Sequence, residues 1–469
     1  MRDYLKIRAT LCVACLVIPV LGCGEPKDRT GGGSSGAEAA SEEANPPSVI
    51  LISLDTLRYD HCGFNGYERD TTPFLDSLAK DSIVFDRAYT TMSWTLIAHM
   101  SMVSGLYPNQ HGVTTAFAAL SSEFPTLAER LDKIGYVNFG VQCAGWLHPR
   151  FGFGRGFTSY ASGGNAEGVE RALVEPISAL RPEWPYFLFL HLFDIHSAGL
   201  GPQNSTIYSP PAPYDEIFVE GARSKLAGVS AKDWWNEPAD PTPEQHEAIV
   251  ALYDGGIRYV DSKLKKWFED WQARGLLDNT VIIITSDHGE GLRDRYRRYG
   301  GHGDFFEHGL KVPLLVHLPG GHRGGERVGS VVSLVDIVPT VMELVQLDPD
   351  KRLPGQSLLG EGRGDDEWVF ASRKDARVAI RSDAKIMYSG TRPSQYYDLK
   401  SDPHEKVNFK KEFGQAAFHA KAQPLLDDAI EQLMGYPQPP PPDEVGRMES
   451  EARQKLKALG YGGEVEDKR

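Results

Sequence analysis

Past residue 23 the chain holds only two cysteines, Cys62 and Cys143; the other three of its five, Cys12, Cys15 and Cys23, crowd the N-terminus. Two thiols in a body of this size exclude a disulfide-built fold, and they do not have zinc-ligand spacing. They are expected as free buried thiols. Basic residues are in deficit: 50 Lys and Arg against 64 Asp and Glu leave a net charge of -14. That argues against a nucleic-acid partner, whose phosphates want Lys and Arg. It leaves room for a small anionic substrate, because a buried cation supplies positive charge locally. Apolar runs long enough to span a bilayer are missing from the body, and so is any internal repeat.

What remains is ordinary globular composition, with 41% hydrophobic and 24% charged residues in 469. That length suits one large α/β domain with a smaller appendage. The N-terminus reads as an address. Arg2, Lys6 and Arg8 precede an apolar run, residues 9–21, of signal-peptide length. The run ends in Val20-Leu21-Gly22-Cys23, which resembles a bacterial lipobox with Cys23 as the lipidated first residue of the mature protein. The expectation is an exported lipoprotein, periplasmic or anchored at the outer membrane or cell surface. Its only hold on a membrane would be this lipid, and Gly24 in place of Asp favours the outer membrane. Residues 24–46, rich in Gly, Ser, Ala and Glu, read as a flexible tether.

In the body, residues 48–54 (SVILISL), 186–192 (YFLFLHL), 281–285 (VIIIT) and 312–318 (VPLLVHL) are apolar runs of buried-strand type. Helical patterns fall at 73–80, 95–104, 127–134, 245–274 and 334–345. The alternation predicts a doubly wound, mostly parallel sheet with helices on both faces. Asp55, Asp194, Asp287 and His288 follow strand ends, the edge where open α/β sheets bind ligands. Past about residue 365 short strands at 368–372, 378–381, 384–389 and 396–399 predict a small antiparallel sheet. The expected division is signal peptide 1–22, linker 23–46, catalytic domain 47–362, C-terminal subdomain 363–436, and a Pro-rich segment with helical tail 437–469.

Seven motifs follow one another in a familiar order. They are LISLDTLRYDHCGFNGY at 51–67, TLIAHMSMVSGLYPNQHG at 95–112, HLFDIHSAGLGP at 191–202, TSDHGE at 285–290, HGDFFEHGLKVPLLV at 302–316, SLVDIVPTVMEL at 333–344 and YYDLKSDPHEKVN at 396–408. Together they resemble the sulfatases and, more broadly, the alkaline-phosphatase superfamily. The resemblance implies a metal-dependent hydrolase of anionic esters. It implies one divalent cation on Asp55, Asp287 and His288, with Thr95 at the nucleophile position and touching the metal. Calcium, magnesium, manganese and zinc all remain open. It also places His196 and His302 as acid/base and substrate-anion contacts, and His99 where the family carries an arginine. A helix starting at Thr95 would present free N–H groups to an anion, although a simple N-cap threonine is the plainer alternative.

The departures from the family pattern are specific. Sulfatases carry Cys-or-Ser-x-Pro-x-Arg at the nucleophile, and the first residue is oxidised to formylglycine. Here the stretch is Thr95-Leu96-Ile97-Ala98-His99, so formylglycine is not expected. Thr56 stands for the family's second aspartate, and His302 for its lysine. These changes resemble the threonine-dependent branches, which act on phosphate monoesters, diesters or phosphoglycerol groups. The chemistry agrees. A formylglycine hydrate expels sulfate by collapsing to an aldehyde; a threonyl ester cannot, so water must attack the transferred group, which suits phosphorus better. The reading is therefore sulfuric or phosphoric ester hydrolysis, leaning to phosphate, on a small anionic ester carried by a glycan or lipid. Two rivals stand beside it: a phosphoryl-group transferase acting on lipid or glycan, and a non-catalytic glycan-binding relative. Asp194, His196 and His302 offer a second, less favoured cation site, and Trp234 and Trp235 a surface for stacking on a sugar.

Overall fold

The computed structural model describes residues 45–197, 206–227, 240–295, 299–436 and 443–444. Cys23 and the leader, the linker to residue 44, Trp234 and Trp235, and nearly all of the tail lie outside the described residues. Among the described residues no helix is long and apolar enough to cross a membrane.

The eight-stranded main sheet comprises β1 (Ser48–Leu54), β2 (Ile83–Phe85), β3 (Val137–Gln142), β4 (Ser159–Ser162), β5 (Tyr186–Leu192), β6 (Thr280–Thr285), β7 (Leu314–His317) and β8 (Arg327–Val328). Their spatial order is β8-β2-β7-β6-β1-β5-β3-β4. β1 lies parallel to both β5 and β6. β7 runs antiparallel to β2 and β6, which makes the sheet mixed at that side. The expected single strand over 312–318 is broken at Pro313, which has no N–H for a ladder. Lys311–Val312 pairs elsewhere, and only Leu314–His317 joins the main sheet.

Alternate residues of the central strands enter two cores. Val49, Leu51, Phe187, Phe189, Val281 and Ile283 face one layer of helices. Ile50, Ile52, Leu188, Leu190, Ile282 and Ile284 face the other. The first layer contains α1 (Thr95–Ser104), α2 (Leu127–Lys133) and α3 (Ile337–Leu344). The second contains α4 (Ala166–Ala179) and the long α5 (Pro243–Ala273), whose Pro sits at N1 behind the Thr242 capping box. Burial on both faces explains why β1, β5 and β6 read as unbroken apolar runs rather than alternating ones.

α1 is buried along its whole length and stops at Gly105, whose backbone is left-handed (φ 74°). A Cβ there would lie 2.9 Å from Val338 Cβ, so glycine serves both the turn and the packing onto α3. The C-terminal sheet is antiparallel throughout: β9 (Val369–Arg373), β10 (Ala376–Ile380), β11 (Ala384–Ser389) and β12 (Arg392–Asp398). Phe370, Ile386 and Tyr396 from this sheet pack with Tyr107 and Val335 of the main body and with Phe418, Leu426 and Ala429 of α6, Phe409–Met434. The sequence reading had no helix there. Cys62 and Cys143 are both free.

Candidate active site

Parallel pairing brings three strand ends to one edge. Ser53 of β1 is level with His191 of β5 and with Thr285 of β6. Asp55 and Asp287 therefore emerge side by side. Thr56 takes a left-handed conformation (φ 60°), which turns its N–H onto Asp287 Oδ1 at 3.3 Å. The Tyr253 hydroxyl pins this turn by donating to Thr56 O at 2.7 Å and accepting the Arg58 N–H at 3.0 Å. Across the edge, Gly289 lets the chain pass against residues 308–309; a Cβ there would meet His308 O at 1.8 Å.

Asp55, Thr95, His99, Asp287 and His288 are all fully buried. Asp55, Asp287 and His288 each present a ligand atom within 4.8 Å of the other two. His288 donates Nδ1–H to Gly289 O at 2.8 Å, so its Nε2 lone pair turns inward. That nitrogen lies 3.4 Å from Asp287 Oδ2, 3.9 Å from Asp55 Oδ1 and 3.4 Å from Thr95 Oγ1. Asp55 Oδ1 and Asp287 Oδ2 have no hydrogen-bond partner among the described residues. Two buried carboxylate oxygens with nothing to accept, facing an imidazole lone pair and a hydroxyl, fit the donor set of a divalent cation. The electrostatics agree. Burial and the neighbouring Asp287 push the Asp55 carboxyl well above its usual range. Burial works against the charge of His288, but Asp287 and Asp55 outweigh it and raise its pKa.

Thr95 is the first residue of α1; Trp94 precedes it as N-cap, and no side chain caps the helix. The Thr95 hydroxyl is thus turned to the cluster rather than spent on capping. Thr56 offers no ligand, since its hydroxyl donates to Asp55 O at 2.7 Å.

His99 does face the cluster, as its position one turn past Thr95 suggests. Its Nδ1–H donates to Thr95 O at 2.9 Å, its Nε2 accepts from Ser53 Oγ at 2.9 Å, and Asp287 Oδ2 is 3.5 Å away. Burial lowers its pKa to about 3, so it is neutral and carries no charge with which to stand in for an arginine. Its contact with Thr95 is to the backbone.

His191 was not singled out in the sequence, because it sits inside an apolar strand. Its Nε2–H donates to Asp55 Oδ2 at 3.0 Å while Nδ1 accepts from Cys143 N at 3.3 Å. That aims the other Asp55 oxygen into the cluster. His99, His191 and Asp287 also come within 4.8 Å of one another, but both imidazoles spend their nitrogens on the partners just named.

His196 and His302 form a second rank. His302 stacks near His288, with ring centroids 4.9 Å apart, and His196 is 5.3 Å from His302. His196 donates Nδ1–H to Ser197 O at 2.7 Å and lies on the Phe193 ring at 4.2 Å. Burial lowers its pKa to about 4. Asp194 does not join them in a metal cluster. It takes the Ala166 N–H at the start of α4, and burial raises its pKa to about 6. Glu290, also passed over in the sequence, is fully buried beside the two histidines.

A doubly wound α/β fold with a buried two-carboxylate, one-histidine cluster and a hydroxyl at its strand ends presents groups that could hold a cation beside a nucleophile. The sulfatase family profile matches residues 47–347, and the chain belongs to that family. It is a sulfatase-like ester hydrolase. It is 24% identical over 457 residues to an arylsulfatase of Clostridium perfringens (strain 13 / Type A), covering 77% of this chain and 90% of that one. Its fold is similar to the phosphonate monoester hydrolase of Agrobacterium radiobacter, with TM-score 0.65, 22% identity, and coverage of 83% of this chain and 95% of the other. It is also similar, with TM-score 0.64, 16% identity and coverage of 84% and 99%, to a protein solved with its substrate D-glucosamine-2-N,6-O-disulfate.

Proposed function

We propose that the chain hydrolyses a phosphoric or sulfuric ester, by preference a phosphate mono- or diester, with Thr95 as nucleophile. The observation that carries this reading is the convergence of two partnerless carboxylate oxygens, the His288 Nε2 and the Thr95 hydroxyl at 3.4 Å from that nitrogen. Asp55, Asp287 and His288 would hold one divalent cation. When bound, it would neutralise the anionic ester and lower the pKa of the threonine hydroxyl. The protein's own part is positional. His191 holds Asp55 by one oxygen, His99 ties the Thr95 backbone to Ser53, and the α1 N-terminus offers N–H groups to the ester oxygens. His196 and His302 would contact the ester and serve the leaving oxygen.

Thr95 in place of an oxidisable Cys or Ser, with His99 in place of the arginine, favours phosphate chemistry over the family's formylglycine route. A glycan-borne ester is the favoured substrate class, supported by the fold relative that carries a disulfated glucosamine. The leader and Cys23 support export as a lipoprotein.

The deciding experiment is a rate panel on the soluble form from residue 24, with aryl phosphate, aryl phosphodiester and aryl sulfate, with and without chelator. Metal-dependent phosphate or diester turnover that disappears in Thr95→Ala supports the reading. Turnover that survives Thr95→Ala sinks it. No turnover and no bound metal would make the chain a glycan-binding relative.

A further inference from the structure

Glu290 stands behind the two second-rank histidines and has no part in the chemistry above. Its oxygens face different neighbours. Oε2 accepts the Ser197 N–H at 3.2 Å, and the Ser197 carbonyl in turn accepts Nδ1–H of His196 at 2.7 Å. Oε1 has no hydrogen-bond partner among the described residues and lies 3.8 Å from His302 Nδ1. Glu290 is fully buried, and a buried carboxylate oxygen left without a donor is strongly disfavoured. The gap to His302 is about 1 Å longer than a charge-assisted hydrogen bond. His302 sits between Gly301 and Gly303 (φ 98°), a backbone able to make so small a movement. Catalytic hydrogen bonds are often this long before substrate binds.

We infer that Glu290 is a positioning residue: it takes Nδ1–H of His302, fixes the tautomer that turns Nε2 to the reacting group, and holds the His196 loop on its other oxygen. The inference rests on the Thr95 reading and deepens it. In the first half-reaction Thr95 enters as its alkoxide. Its oxygen bonds phosphorus, the bond from phosphorus to the leaving oxygen breaks, and that oxygen takes the Nε2 proton of the His302 imidazolium. In the second, water attacks the phosphothreonine and gives one proton back to Nε2. Phosphate departs, and the alkoxide and imidazolium are restored. Nδ1–H stays on Glu290 throughout.

The test is Glu290→Gln on the metal-loaded enzyme, with two aryl phosphates. For a phenol leaving group, which needs a proton, kcat is expected to fall about 10- to 100-fold with KM little changed. For a dinitrophenol leaving group, which needs none, the fall should be much smaller. One metal per chain should remain. In the double variant with His302→Ala, the loss should be no greater than for His302→Ala alone. Equal losses for the two leaving groups, additive losses in the double variant, or loss of the metal would each overturn the role given to Glu290 and leave Thr95 standing. Full turnover by Thr95→Ala would instead overturn the reading beneath it. If a melting curve shows that Glu290→Gln does not fold, Glu290→Asp decides. Keeping the charge at shorter reach, it should show a weaker form of the same leaving-group dependence, and none would refute the role.

Discussion

Asp55→Asn should make the metal-free protein more stable and abolish its response to divalent cations. Asp55 and Asp287 are both fully buried, and each aims one partnerless oxygen at the same space. Without a cation, burial and Asp287 hold the Asp55 carboxyl well above its usual range, so the native state bears a repulsion that the unfolded chain does not. Asparagine keeps an oxygen for His191 Nε2–H, at 3.0 Å in the wild type, and removes the charge. A buried acceptor left without a donor costs about 1–3 kcal/mol, and that sets the scale of the relief. A cation at 100 times its Kd stabilises the wild type by about 2.7 kcal/mol. With an unfolding entropy of about 2.1 cal/mol/K per residue over a folded body on the order of 400 residues, each kcal/mol moves Tm by about 1 °C. Calorimetry in chelator should therefore place the variant about 1–3 °C above the wild type. With manganese, zinc, calcium or magnesium, the wild type should gain about 3 °C and the variant nothing. A variant that melts below the wild type in chelator and still gains with metal would refute the assignment of these carboxylates as a ligand pair.

Three further outcomes follow from other contacts. His191→Gln should weaken metal affinity about 10- to 100-fold, read by competition with a chelating dye, because Asp55 loses the donor that orients it; unchanged affinity would make His191 a packing residue only. Gly105→Ala should destabilise the fold by about 1–3 kcal/mol in denaturant titration, since it combines a left-handed backbone with a clash at Val338. A neutral result would mean that the turn relaxes freely. Asp294 carries a pH signature. Burial works against its charge, but the Arg58 guanidinium at 2.7 Å outweighs it and lowers its pKa to about 2. A lowered carboxylate stabilises the fold above its unfolded pKa of about 3.9 and loses that contribution as pH falls toward 2. Wild type and Asp294→Asn should thus differ in stability at pH 6 and converge near pH 2; a gap that widens in acid would reverse the sign.

The sequence by itself determined the layered α/β fold and the identity of the residues at its binding edge. Apolar runs bounded by Asp55 and by Asp287-His288 state both that a strand is buried and that polar groups wait at its end, because an interior strand tolerates nothing else. Gly105 after a helical run likewise stated where α1 stops. Local pattern could not show which strands are neighbours. His191 and Phe189 look alike as members of one apolar strand; only the parallel register with β1 reveals that the first meets Asp55. Glu290 was equally silent, because its meaning lies in Ser197 and His302, which come from other loops. Pro313 was legible as a strand breaker only after the ladder it interrupts was in view. The roles of Thr95, His99 and the two carboxylates depend on which atoms are left without partners. That is a property of side chains brought together from distant segments, and only the tertiary structure decides it.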